Sequence, residues 1–283
     1  MPFVRLDRLP SAWLLLVLVV TAGASAGQPS SGRTLLTRVV DGHGRTQVDL
    51  GVDDFVISEG GEDREVLDVH VADYPVAVLI DDSLVPADLQ TIKTAVARFV
   101  SRIGERPVAV GRLSDPERPV ASFSTARPLV LAGVADVVRR QPPPQPMPSV
   151  AMLARLIRDT DAPFSAIVVV AGSPFDASGH VDGGLLPAIL DSGAAVHVVE
   201  YRETEVSRQL ETADLLKVLS DQTHGQYTVI YSTASFAIAL DRLAERLSTE
   251  LMVDYLVPPG GAAGDVRVGV RRPGARVLGL GVK

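Results

Sequence analysis

The sequence predicts an α/β protein, a Rossmann-like and mainly parallel sheet with helices on both faces, joined to a small β-domain built from both flanks of the chain. Two observations carry this. Between Pro75 and Glu250, continuous apolar runs such as PVAVLI, SAIVVVAGS and AAVHVVEY alternate with helical stretches of similar or greater length. Such runs suit strands covered on both faces, and their alternation with helices suits a parallel sheet. Outside that span the pattern changes to short period-two stretches broken by glycine-containing turns, which is the pattern of hairpins.

The elements follow in order. Arg5 and Arg8 precede the apolar stretch AWLLLVLVVTAGA, and Ala24-Ser25-Ala26 supplies a small-x-small cleavage pattern. Residues 1–26 therefore read as a signal peptide, because an apolar run of about a dozen residues falls short of the roughly 20 that span a bilayer. The competing reading is an uncleaved anchor. Residues 27–33 read as a disordered lead-in, and residues 34–74 as the N-terminal β part, with TLLTRVV, the turn DGHGR and DFVISEGGEDREVLDVHVA. From Pro75 the α/β body begins. Leu89, Ile92, Val96, Phe99, Val100 and Ile103 recur at helical spacing, with Asp88 as the expected cap and Gly104 as the stop.

RPVAVGRLS and RPVASFST read as two strands joined by DPER, followed by a short helix near Leu131–Arg140. QPPPQPMP, from Gln141 to Pro148, reads as extended polyproline-like backbone on a surface loop. Helices are then expected over Met152–Arg158, GGLLPAILDSG, Thr212–Thr223 and Thr233–Thr249, with strands at SAIVVVAGS, AAVHVVEY and QYTVIY. Residues 251–283 return to β pattern and are expected to pair with the N-terminal β part.

Composition narrows the function classes. The 283 residues contain 27 Lys and Arg against 34 Asp and Glu, a formal charge of −7, with no basic stripe. Nucleic acid is therefore not an expected partner. The absence of cysteine removes disulfides and thiolate metal ligation, so the core alone must hold the fold. The five histidines, His43, His70, His180, His197 and His224, show no helical i, i+4 pair, so spacing alone supports no zinc site. No G-x-S-x-G elbow accompanies Ser173, and no lysine-bearing phosphate loop is present, so an enzyme is not expected.

One local pattern points to a binding site. PVAVLIDDSLV ends a buried-type strand with two carboxylates and a hydroxyl, Asp81, Asp82 and Ser83. Together with DFVISEGGEDREV, LSDQTHGQY and Tyr255-Leu-Val-Pro-Pro, it resembles the bacterial exported proteins related to von Willebrand factor type A domains. The resemblance runs across residues 27–283 and implies such a domain at 75–250.

The resemblance also implies a metal-ion-dependent adhesion site at the carboxyl ends of the strands. There an Asp-x-Ser-x-Ser loop, a Thr and a further Asp bind Mg²⁺ or Mn²⁺. Asp81 and Ser83 match the first Asp and Ser, but Val85 stands at the second Ser. Ser149 is the one hydroxyl where the Thr is expected. Ala171-Gly172-Ser173 stands where the last Asp is expected, with Asp176 further out. Glu200 falls at the same rim as a candidate second carboxylate.

The expectation is thus a degenerate site with no metal ligand set and no cofactor, Mg²⁺ being the weak alternative. Asp81 and Ser83 are expected to form the loop and cap the helix. The implied function is an exported, periplasmic or secreted, protein-interaction module without catalytic activity, its partner protein unspecified and its binding residues Asp81, Asp82, Ser83, Ser149, Ser173 and Asp176. The alternatives are a Mg²⁺- or Mn²⁺-dependent adhesion module using Asp81 and Ser83, and, in a different class, a serine hydrolase.

Overall fold

The computed structural model describes residues 31–175, 184–202, 214–258 and 264–283. Its centre is a five-stranded parallel sheet. The strands are β6 (Val76–Ile80), β7 (Val108–Arg112), β8 (Ala166–Ala171), β9 (Ala195–Tyr201) and β10 (Tyr227–Ile230), in the order β10-β9-β8-β6-β7. Taken in chain order within the body this is 2-1-3-4-5, a doubly wound sheet whose order reverses between β6 and β8.

Period two explains the layering. Val76, Val78 and Ile80 face α1 (Pro86–Arg102), α2 (Arg127–Ala135) and α6 (Ser235–Ser248). Ala77 and Leu79 face α3 (Pro146–Arg158), α4 (Leu185–Leu190) and α5 (Leu215–Gln222). Both faces of β6 are fully buried, which is why its sequence is an unbroken apolar run. On α1, Leu89, Ile92, Val96, Phe99 and Val100 are buried at three- and four-residue steps. Each such side chain contributes about 1.5–3 kcal/mol relative to exposure.

The flanks form two further sheets. One has the order β13-β1-β11-β5, built from β1 (Ser31–Val40), β5 (Val66–Val71), β11 (Leu251–Val257) and β13 (Arg276–Val282), with β2 (Thr46–Gln47) on β1. The other has the order β12-β3-β4, from β3 (Phe55–Glu59), β4 (Glu62–Arg64) and β12 (Val266–Val270). They enclose a second core of Leu35, Val39, Phe55, Ile57, Val253 and Tyr255. β1 pairs antiparallel with both β11 and β13, so the two flanks make one β unit as expected.

Several local expectations are corrected. β1 starts at Ser31, inside the expected lead-in, because its register with β11 extends to Ser31 opposite Val257. RPVASFST contributes one bridge, Val110 to Ala121, and is otherwise not a strand. Pro119 has no N–H to donate, and Ser122–Thr125 closes its own turn through Thr125 N to Ser122 O at 2.9 Å. α2 lies over Arg127–Ala135 and not Leu131–Arg140. Its would-be last turn is drawn away by Lys93 Nζ on Val137 O, 2.9 Å, and by Arg140 N on Asp82 O, 3.0 Å. The proline-rich loop ends sooner than expected, since Pro146 and Pro148 enter the first turn of α3, where a missing N–H is harmless. Asp88 is not the cap of α1. The helix begins at Pro86 behind Val85, with no side-chain cap.

Candidate functional site

The carboxyl end of β6 is the reversal point of the sheet, where open α/β folds place ligands. Here Ile80 O accepts from Leu113 N and Asp81 N donates to Val170 O, both at 3.0 Å, so the next residues leave the sheet between its two neighbours. Asp81 and Asp82 then diverge. Asp81 turns toward β8, where Oδ2 accepts from Gly172 N at 2.9 Å and Oδ1 accepts from Ser83 N at 3.0 Å and Ser83 Oγ at 2.6 Å. Asp82 turns toward β7 and accepts from Ser114 N at 3.2 Å and Ser114 Oγ at 2.5 Å. Both residues are fully buried. Every carboxylate oxygen of the pair is occupied by a donor of this chain, the role a cation otherwise fills.

The crevice itself is filled. The side chain of Leu84 lies over Gly172, so closely that a Cβ built there would sit 2.2 Å from Leu84 Cδ2. Any side chain at that position demands that Leu84 leave. Ser149 is buried and directs Oγ onto the carbonyls of Arg112 and Leu113, at 3.2 and 3.3 Å. As arranged, these donors do not fit octahedral Mg²⁺, which needs several oxygens converging at 2.0–2.1 Å.

The expected site residues therefore separate into groups. Asp81, Asp82 and Ser83 come together as a loop clasp, and Asp81 with Ser83 organises the loop without capping α1. Asp81, Asp82 and Ser149, expected as binding residues, are buried and offer a partner no surface in this arrangement. Their hydrogen bonds shape the rim from beneath. Ser173 is exposed beside Gly172, and Asp176 lies outside the described residues. What the rim presents to solvent is Val85, Val138, Arg139 and Arg140, followed by the first residues of the proline-rich loop. Arg139 Nε donates to Ser83 O at 3.1 Å, tying this stretch to the β6 loop.

Glu200 is at this rim but is otherwise engaged. It pairs across β8 with Ala171 and is fully buried. Arg202 donates Nε to Glu200 Oε1 at 2.6 Å and Nη2 to Asp214 Oδ2 at 2.6 Å, and Tyr227 Oη donates to the same Asp214 oxygen at 2.8 Å. Burial pushes the Glu200 carboxyl up to about 7, against the pull of Arg202, and the charge of Asp214 adds to the rise. Asp214 also caps α5 through Leu216 N and Lys217 N. Reading the sequence missed this cluster, because Arg202, Asp214 and Tyr227 belong to three separate elements with no shared spacing.

At the opposite end of the sheet, His197 on β9 is buried beside a cavity of about 270 Å³ lined also by Tyr74, Arg246 and Glu250. Its Nδ1 accepts from Gln226 N at 3.0 Å. Burial, and then the nearby charge of Arg246, push its pKa down to about 3, so it is a neutral core histidine.

No protein-family model matches the chain, and no curated protein matches it in sequence. Solved structures do. A von Willebrand factor type A protein from Catenulispora acidiphila has a TM-score of 0.52 and 12% identity, over 92% of this chain and 74% of its own. Proximal thread matrix protein 1 from the mussel byssus has a TM-score of 0.49 and 15% identity, over 63% of this chain. The matched part spans 48% of that mussel protein, about half its length. BatB from Bacteroides thetaiotaomicron has a TM-score of 0.43 and 12% identity, over 61% of this chain and 97% of its own. The match to the Catenulispora protein gives the doubly wound body the fold of a von Willebrand factor type A domain. The chain joins that domain to a β unit made from both its flanks.

Proposed function

We propose that this protein is an exported, non-catalytic interaction module of the von Willebrand factor type A kind that works without a metal at its adhesion-site position. The observation that carries the reading is the closed reversal point, with Leu84 over Gly172 and both oxygens of Asp81 held by backbone and hydroxyl donors. Binding falls to the exposed rim around it. Val85 and Val138 are 50% and 62% exposed, and Arg139 and Arg140 flank the second. Apolar side chains among guanidinium groups suit a partner protein with an acidic, partly apolar face. Among the described residues no helix is long and apolar enough to cross a membrane. Export rests on the N-terminal pattern alone.

The test pairs two measurements. The thermal midpoint in chelator should be unmoved by millimolar Mg²⁺, whereas a bound ion at 100 times its dissociation constant adds about 2.7 kcal/mol. Capture of the partner should be lost in Val85→Glu and Arg139→Glu and unaffected by chelator. A Mg²⁺-dependent rise that vanishes in Asp81→Asn would establish the metal-dependent adhesion module instead. For the hydrolase, the observation to seek is labelling of Ser173 by a serine-directed reagent.

A further inference from the structure

A second cluster lies away from the rim, on the outer face of the sheet that holds β5 and β11. Asp68 and His70 of β5 and Asp254 of β11 each offer one ligand atom, and these atoms all lie within 4.8 Å of one another. Strand geometry puts them there. Asp68 and His70 are two apart on one strand and so share a face. Antiparallel register sets Asp254 directly opposite Asp68. Val253 and Tyr255 on either side of Asp254 face the core between the flanking sheets, which turns Asp254 outward.

Two features distinguish this cluster from a solvated acidic patch. Carboxylates facing each other across a ladder repel, and the two are held opposite one another next to a register shift between Asp254 and Tyr255. The imidazole is also oriented at one nitrogen: Nδ1 of His70 lies 3.0 Å from Asp68 Oδ2. Asp73 Oδ1 stands 3.9 Å from Nε2, beyond hydrogen-bond reach but on the side where metal-ligating histidines generally have an outer carboxylate. Thr34 Oγ1 donates to Asp254 Oδ1 at 2.6 Å, which orients that carboxylate and leaves its second oxygen for a ligand role.

We propose that Asp68, His70 and Asp254 form a binding site for a divalent transition ion of the zinc class, with Asp73 and Thr34 as its outer support. One nitrogen and two carboxylate oxygens match the donors Zn²⁺ accepts, and a water completes the tetrahedron. Bonds of about 2.0–2.1 Å place tetrahedral ligand atoms about 3.3 Å apart, so the cluster must contract by up to about 1.5 Å from the 4.8 Å that bounds its widest separation. Mg²⁺ prefers oxygen ligands and is not the expected occupant. The ion ties β5, an edge strand, to β11, and its role is to hold the edge of the β unit. Separate positions on the strand pattern gave no hint of this, since His70 has no histidine partner at ligand spacing.

The competing state has no ion, the hydrogen bond between His70 Nδ1 and Asp68 Oδ2 holding the pair by itself. Calorimetric titration of the chelator-stripped protein with Zn²⁺ separates the two, using wild type, His70→Gln, Asp254→Asn and, as a control, the exposed His43→Ala. The expected result is one saturable site at pH 7.5, weakened at least tenfold in both cluster variants and kept in the control. The thermal midpoint should rise by a few degrees with Zn²⁺ in wild type and not in the cluster variants, whose circular dichroism stays unchanged. Absence of a saturable site in wild type, or equal binding in His70→Gln or Asp254→Asn, overturns the proposal.

Discussion

Acidification offers a direct measure of what burying His197 costs. Its ordinary pKa is 6.5 and burial holds it near 3, so the folded state resists the proton that the unfolded chain accepts. The contribution of the neutral ring is fully present above pH 6.5 and is lost progressively as pH falls from there toward 3. At 1.36 kcal/mol per pH unit, moving from pH 6.5 to 4.5 removes about 2.7 kcal/mol. The comparison that isolates it uses His197→Asn, whose amide oxygen still accepts from Gln226 N. Urea denaturation of both proteins at pH 7.0, 5.5 and 4.5 gives two stability curves. Glu200 and Glu250, whose carboxyls are raised by burial, drive stability the other way, and their effect is common to both proteins. Wild type should lose about 2.7 kcal/mol more than the variant between pH 7.0 and 4.5. Parallel curves would refute the reasoning, because they would mean that the ring reaches water or a carboxylate on protonation.

Three further outcomes are expected. Gly225→Ala should destabilise the protein by about 3 kcal/mol or more in urea, since the added Cβ would lie 1.8 Å from Val196 O, a backbone atom that cannot step aside. His224→Gly should stabilise it by about 0.5–1 kcal/mol in the same assay, because His224 holds φ +58, a region that favours glycine. Arg202→Met should cost about 3–5 kcal/mol near neutral pH, as Glu200 and Asp214 would keep their burial and lose their cation. That loss should grow as pH rises above 7, where the Glu200 carboxyl of the wild type ionises.

The fold was largely legible because its two periodicities are clean. β6 and β8 are buried on both faces and read as unbroken apolar runs, while β3 alternates and reads as a half-exposed strand. LSDQTHGQY also carried real geometry. Gly225 is required by the close passage of β9, and His224 stands at a left-handed position that favours glycine. Where chain direction depended on a distant hydrogen bond, sequence was a poor guide. The end of α2 is decided by Lys93 and by the Asp82 carbonyl, neither of which is near it in the chain.

At the candidate site the missing ligands were visible as Val85 and Ala171-Gly172-Ser173, but the plug was not, because nothing local says that Leu84 folds back over Gly172. The Arg202 cluster and the Asp68, His70 and Asp254 cluster were illegible for the same reason. Each is assembled by register between elements far apart in sequence.

The pairing of β1 with β11 also governs the order in which the molecule can be completed. Thr34 and Asp254 meet across 220 residues of intervening chain, and Lys283 closes onto Thr34 by a reciprocal pair of backbone bonds. The first strand made is therefore among the last to find its neighbours. The doubly wound body takes its strand partners from within its own span and can consolidate before the flanks meet. Until the final strands arrive, β1 has only the two-residue β2 beside its end, with Leu35 and Leu36 uncovered, and the time spent in that state sets the window for self-association. Slow refolding that speeds up when β1 is supplied pre-paired, by circular permutation joining the two flanks, is the kinetic signature of such late closure.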